Sequence, residues 1–211
     1  MKDAKLVAKS HTEHTTEIAI APSDITVGGQ DLFIVGGPCS IESMAQMEAI
    51  AQAPIAIQGV RGGVFKPRTS PYAFQGLGEM GLDILSAIRQ RYGLPVVTEV
   101  MAIHQIETLL PHADVLQVGS RNMQNFDLLK ALGEVNNPIL LKRGLAATVT
   151  EFVMAAEYIA SHGNPNIILC ERGIRSFDSY TRNVLDLGAV VALKQITHLP
   201  EIDDPSHATA K

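Results

Sequence analysis

Six cations of this chain stand at or just beyond the ends of short apolar runs: Arg61, Lys66, Arg68, Arg121, Lys142 and Arg172. The chain as a whole is acidic, with 17 Lys and Arg against 22 Asp and Glu and a formal charge of −5. Cations gathered in an acidic protein need an anionic ligand, and guanidinium forks match the oxygens of phosphate and carboxylate. The pattern points to a bulky phosphorylated substrate, or to two. The plainer alternative is that each cation pairs with a neighbouring acid. The densest local signal is Arg61-Gly62-Gly63-Val64-Phe65-Lys66-Pro67-Arg68-Thr69-Ser70-Pro71. Its glycines allow close backbone approach, its cations and hydroxyls can hold an anion, and its prolines stiffen it so that the cations are held in place.

Cys39, in Gly37-Pro38-Cys39-Ser40, and His207, in Asp204-Pro205-Ser206-His207, lie near opposite ends of the chain, each at an expected strand end. In a closed barrel, first and late strands are neighbours, so this thiolate and imidazole could share a divalent metal. Taken singly, each has an ordinary reading as a small buried hydrophobe or a hydrogen-bonding residue. Cys170 falls within an apolar run and reads as core, while His104, His112, His162 and His198 read as surface residues on helices or at their ends. Gly76-Leu77-Gly78-Glu79-Met80-Gly81 fits the G-x-G-x-x-G dinucleotide pattern, with Glu99 near the acidic position. The preceding Pro67 to Gln75 is not a strand feeding a turn, so the motif reads as a helix start.

Positioning these residues falls to an alternation of short strands and helices. Leu32 to Val35, Pro95 to Thr98, Val115 to Val118, Ile139 to Leu141 and Ile167 to Leu169 read as buried parallel strands. Leu82 to Tyr92, Ile103 to His112, Phe126 to Gly133, Thr150 to His162 and Asn183 to Ile196 carry apolar residues three and four apart and read as crossover helices. Such alternation suits a doubly wound open sheet or a (β/α)8 barrel. An open sheet concentrates its chemistry at one switch point, whereas a barrel collects it from many strand ends, as here; the barrel is expected. Ahead of it, Glu17 to Ala21 and Ile25 to Val27 flank Pro22-Ser23-Asp24 as a hairpin, and Met1 to Thr16, with His11 and His14 solvated, reads as a mobile tail. The expected division is tail and hairpin over 1–31 and barrel over 32–211.

Composition bounds the function. At 46% apolar and 18% charged residues the chain is globular, and it is long enough for a real core. The lack of a basic excess argues against nucleic acid as partner. No apolar run reaches membrane-helix length and the N-terminus lacks a signal-peptide core, so a soluble cytoplasmic protein is expected. Two cysteines give no disulfide scaffold.

In order along the chain stand GPCSIES, RGGVFKPRTSPYAFQGLG, VVTEVM, GSRNMQNF, PILLKRG, ILCERGIRSF, YTRNVLDL and DPSHAT. From about Leu32 to Lys211 this sequence resembles the type I-beta class of 3-deoxy-D-arabino-heptulosonate-7-phosphate (DAHP) synthase. The resemblance implies a (β/α)8 barrel transferase that condenses phosphoenolpyruvate with erythrose 4-phosphate, releasing phosphate, as the first step of the shikimate pathway to aromatic amino acids. It implies a divalent metal (Mn2+, Fe2+, Zn2+ or Co2+) held by Cys39 and His207, and a dimer or tetramer. Arg61, Lys66, Arg121, Lys142 and Arg172 would bind phosphoenolpyruvate, Lys66 would also donate a proton, and Arg68 and Thr69 would bind erythrose 4-phosphate. Glu99 would lie near the reacting carbons and orient water. Ser120 stands near the phosphate where the family more usually has Ala. The nearest rival, 3-deoxy-D-manno-octulosonate-8-phosphate synthase, usually has Asn before the Arg of the KPRTS segment.

The sequence given stops just after the seventh expected strand. The resemblance places two further metal ligands, a Glu and an Asp, beyond that point. Two expectations follow: an active synthase whose remaining ligands come from a partner chain or from Asp203 and Asp204, or a truncated, inactive remnant that binds anions or acts as an interaction protein.

Overall fold

A computed structural model describes residues 3–209. The chain divides into two compact units, one spanning Ala19–Gln117 and one comprising the N-terminal residues through Ile18 together with Val118 onward.

At the start of the first unit, β1 (Ile18–Ile20) pairs with β2 (Ile25–Val27). The turn between them closes where the Ser23 amide and hydroxyl both donate to the Ile20 carbonyl, at 3.0 and 2.5 Å. Then come parallel strands in chain order, β3 (Val35–Gly36), β4 (Gly59–Arg61), β5 (Val96–Val100) and β6 (Val115–Val118). Their connections carry α1 (Met44–Ala51), α2 (Glu79–Tyr92) and α3 (Ile106–Leu109). β5 and β6 are buried on both faces and mostly apolar, with Thr98, Glu99 and Gln117 as their buried polar residues. α2 begins at Gly78, so the glycine pattern is indeed a helix start, and it stops at Gly93, whose φ of 66° suits a helix C-terminus. Two expectations are corrected. Leu32 to Val35 is not a buried strand: only Val35–Gly36 pairs, with β4 as its one strand neighbour, and Leu32 is 80% exposed. Ile103 to His112 is not one helix either. Gln105 Oε1 accepts from the amides of Met101 and Ala102, capping a 3-10 turn over Ile103–Gln105, and α3 lasts a single turn before Pro111.

The second unit continues with β7 (Ile139–Lys142), β8 (Ile167–Glu171) and β9 (Glu201–Asp203), again parallel and in chain order. The order of strands never reverses within either unit, so neither has the switch point of a doubly wound sheet. α4 (Phe126–Gly133), α5 (Val149–Ser161), α6 (Leu187–Ile196) and α7 (Pro205–Thr209) fill the connections. α5 starts at a reciprocal cap: Thr148 Oγ1 accepts from the Glu151 amide at 3.1 Å, and Glu151 Oε2 accepts from the Thr148 amide at 2.8 Å. α6 begins four residues later than its periodicity suggests, because Val184 is held extended in a bridge to Ile174 and Asp186 caps the helix. Of the segment read as a mobile tail, Met1 and Lys2 lie outside the described residues and the rest is docked. Ala4 and Val7 are buried, and the amides of Lys5, Leu6 and Val7 all donate to the Glu157 carboxylate at 2.9 to 3.1 Å. His14 is not simply solvated, since its ring stacks 4.2 Å from that of His198. Among the described residues no helix is long and apolar enough to cross a membrane.

Candidate active site

In the first unit the site residues hang from the ends of β4 and β5. Arg61 ends β4 half-buried. Two residues on, Gly63 must be glycine: a Cβ there would lie 2.4 Å from Lys66 Cδ and 2.8 Å from the Cys39 carbonyl oxygen. That closeness folds Lys66 inward, where it is 4% exposed and pairs with Glu99 of β5, itself 5% exposed. Beyond Lys66 the chain loops out and returns. The Lys66 amide donates to the Gln75 carbonyl at 2.9 Å, and the Gly78 amide to that of Val64 at 2.9 Å. Within the loop Arg68 Nε donates to the Phe74 carbonyl at 3.0 Å, which leaves Arg68 and Thr69 held but exposed. Cys39 is exposed.

The second unit places Lys142 at the end of β7 and Asp204 just after β9. Lys142 Nζ lies 2.5 Å from Asp204 Oδ2, which also lies 2.7 Å from His207 Nδ1. Burial alone would raise the Asp204 carboxyl. The hydrogen bond to His207 and the Lys142 ammonium outweigh it and hold the carboxyl well below the usual carboxylate range. An ionised Asp204 can only accept, so the proton between the two sits on His207 Nδ1. At the end of β8, Arg172 is 5% exposed and its Nη1 is buried without a partner among the described residues. Burial pushes this guanidinium's pKa below its ordinary value, Asp204 opposes that, and Arg182 and Arg121 add to it. Ser120 and Arg121 follow β6 in a 3-10 turn and line a cleft of about 190 Å3 with Met123, Gly144, Leu145 and Glu151.

Arg143, next to Lys142 in sequence, has a structural role instead. It donates to the Ala147 carbonyl, Glu171 and Asp186 at 3.0, 2.8 and 3.0 Å, tying together the loops that follow β7 and β8. Sequence reasoning missed Asp204 as the partner of Lys142 and His207; the Asp-x-x-His spacing was the available signal. It also missed Arg182, which carried none beyond its place in the YTRN run.

Cys39 and His207 are of the residue types that bind a borderline metal, a sulfur and an imidazole donor. Two donors are fewer than such an ion needs, however. Among the described residues no group of three or more His, Cys, Asp and Glu side chains could hold an ion. Nor do the local acids complete the set: Asp204 is engaged by Lys142 and His207, and Asp203 belongs to no such group.

A model of the DAHP synthetase I family matches residues 9–211. The chain is similar to a phospho-2-dehydro-3-deoxyheptonate aldolase of Thermotoga maritima, 44% identical over 210 residues that cover 99% of this chain and 62% of that protein. It is also similar, at 37% identity over 199 residues, to a 2-dehydro-3-deoxyphosphooctonate aldolase of Granulibacter bethesdensis, covering 87% of this chain and 70% of that one. The crystal structure of the Thermotoga maritima DAHP synthase superposes with a TM-score of 0.92, over 100% of this chain and 62% of the other. The chain therefore has the α/β barrel fold of that enzyme but spans about 62% of its length. It belongs to the DAHP synthetase I family.

Proposed function

We propose that this chain takes part in the aldol-type condensation of phosphoenolpyruvate with erythrose 4-phosphate, which gives 3-deoxy-D-arabino-heptulosonate 7-phosphate and inorganic phosphate. The observation that carries the reading is the charge balance at the end of β8: Arg172 is buried with an unpartnered guanidinium nitrogen, and the acid in its reach, Asp204, is committed to Lys142 and His207. A buried cation in that position is stable only when an anion completes it. The identity of 44% to a heptonate aldolase, against 37% to an octonate aldolase, supports the four-carbon acceptor.

In this proposal Arg61, Lys66, Arg121, Lys142 and Arg172 hold the carboxylate and phosphate of phosphoenolpyruvate, with Ser120 beside the phosphate. Arg68 and Thr69, exposed on their stiff loop, take erythrose 4-phosphate. C3 of the enol ester attacks the aldehyde carbon, and the carbonyl oxygen takes a proton from Lys66, whose ammonium is hydrogen-bonded to Glu99. Water, oriented by Glu99, adds at the cationic C2 and gives up one proton; the tetrahedral adduct's hydroxyl then loses its proton as the C–O bond to phosphate breaks, leaving the C2 ketone and inorganic phosphate. The cations stabilise the charge on carboxylate and phosphate throughout. The DAHP synthase family generally uses a divalent metal; Cys39 and His207 are the proposed donors, and the ion would polarise the aldehyde as a Lewis acid. Homo-oligomeric assembly and a cytoplasmic setting belong to the same proposal.

The test is phosphate release by purified protein from phosphoenolpyruvate plus erythrose 4-phosphate, with Mn2+ and with excess chelator, and with arabinose 5-phosphate as the rival acceptor. Chelator-sensitive release with the four-carbon sugar is expected. Release with arabinose 5-phosphate alone would transfer the reading to the octulosonate reaction, and silence from folded protein with both acceptors would defeat it.

A further inference from the structure

Past the end of β8 the chain makes a strap. Ile174 and Val184 pair as an antiparallel bridge through two hydrogen bonds of 2.9 Å, so residues 175–183 leave and return beside Arg172. The foot of the strap is tied at further points. The Arg175 amide donates to the Leu145 carbonyl at 2.8 Å, and the backbone and side-chain amides of Asn183 donate to the carbonyls of Ala208 and His207 at 2.8 and 3.0 Å. A Cβ on Gly173 would lie 2.9 Å from that of Asn183, so strap and strand end touch with no side chain between them. Arg182, adjacent to Asn183, is thus carried on the anchored part of the strap, and Leu145, to which the strap is tied, lines the cleft of Ser120 and Arg121.

Arg121, after β6, and Arg182, on the strap, both lie within electrostatic reach of Arg172. Arg121 and Arg182 form no ion pair among the described residues, and Arg172, 5% exposed, keeps Nη1 without a partner. Both neighbours act on Arg172 as like charges, and Asp204 is the acid that opposes them. Arginines held together with so little compensation fit a multiply charged oxyanion, which accepts several forked donors at once.

We propose that Arg182 is a third guanidinium of this anion site, closing with Arg121 and Arg172 on the phosphate group of phosphoenolpyruvate. The inference rests on the functional reading above and adds to it a binding residue carried by the strap rather than by a strand. Isothermal titration of the purified chain with phosphoenolpyruvate, and separately with inorganic phosphate, tests it on wild type, Arg182→Gln and Arg182→Lys. The Gln variant should weaken both ligands about tenfold, the worth of roughly one charge-assisted contact. The Lys variant should recover part of that loss. Melting temperatures should stay unchanged, because Arg182 is exposed and supports no other group. Binding by Arg182→Gln within threefold of wild type overturns the inference and leaves the functional reading standing, and so does a loss that comes with a lowered melting temperature in both variants. Wild-type protein that binds neither ligand overturns the functional reading and the inference with it.

Discussion

At the scale of single residues, two buried cations of the candidate site each have a carboxylate against them, while Arg172 keeps a guanidinium nitrogen without a partner among the described residues. Lys66 with Glu99 and Lys142 with Asp204 are nearly inaccessible to water, so removing one partner strands the other. Lys66→Met should lower phosphate release by about 10²- to 10⁴-fold if Lys66 moves a proton in the reaction. A rate within threefold of wild type in folded protein would remove it from that role. Asp204→Asn should cost about 3–5 kcal/mol in denaturant unfolding, because it leaves the Lys142 ammonium buried without a carboxylate and loosens His207 as well. A loss below about 1 kcal/mol would show that water reaches Lys142. These pairings were only partly legible in the sequence. The cations announced themselves by their positions at run ends, whereas Asp204 became a partner only when β7 and β9 brought it to Lys142.

At the scale of elements, the strands and helices were written most clearly where burial is complete. β6 and α4 have the limits their apolar patterns suggest, since every residue of β6 is buried and α4 buries Leu128, Leu129 and Leu132 on one side. The N-terminal segment was misread because nothing within it shows a period. What docks it is a carboxylate some 150 residues away, and Glu157 lies in α5 with three successive amides converging on it. Glu157→Ala should release this segment. Hydrogen exchange should show the amides of Lys5, Leu6 and Val7 losing protection while β8 keeps its own, with a cost of roughly 1–2 kcal/mol. Unchanged protection at those amides would show that Ala4 and Val7 alone hold the segment. Element limits failed in the same way at α6, whose first apolar residues are taken into the strap by the bridge from Ile174 to Val184.

At the scale of the whole molecule, one group sets a pH dependence of stability apart from the site. Glu201 in β9 has both carboxylate oxygens buried with no partner among the described residues, on the same strand face as Asp203. Burial first, then Asp203 and Glu171, push its carboxyl from 4.5 up to about 8, against the opposing charge of Lys194. The folded protein therefore keeps a proton that the unfolded chain releases, so stability falls as pH rises from about 4.5 toward 8 and levels off above. Glu201→Gln should match wild type near pH 4.5 and exceed it at pH 8 by roughly 1–2 kcal/mol after solvent screening, read as a higher melting temperature. Equal stability of the two proteins across that range would mean that Glu201 ionises freely. The sequence by itself determined the barrel class, the family and the candidate cations other than Arg182. Burial periodicity and the order of motifs are local properties, and local properties survive in a string of letters. Only the tertiary structure decided which acid meets which cation, that the N-terminal segment docks, and that Glu201 is left without a partner among the described residues. Each of those depends on segments far apart in the chain coming within a few ångströms, and no periodicity along the chain records that.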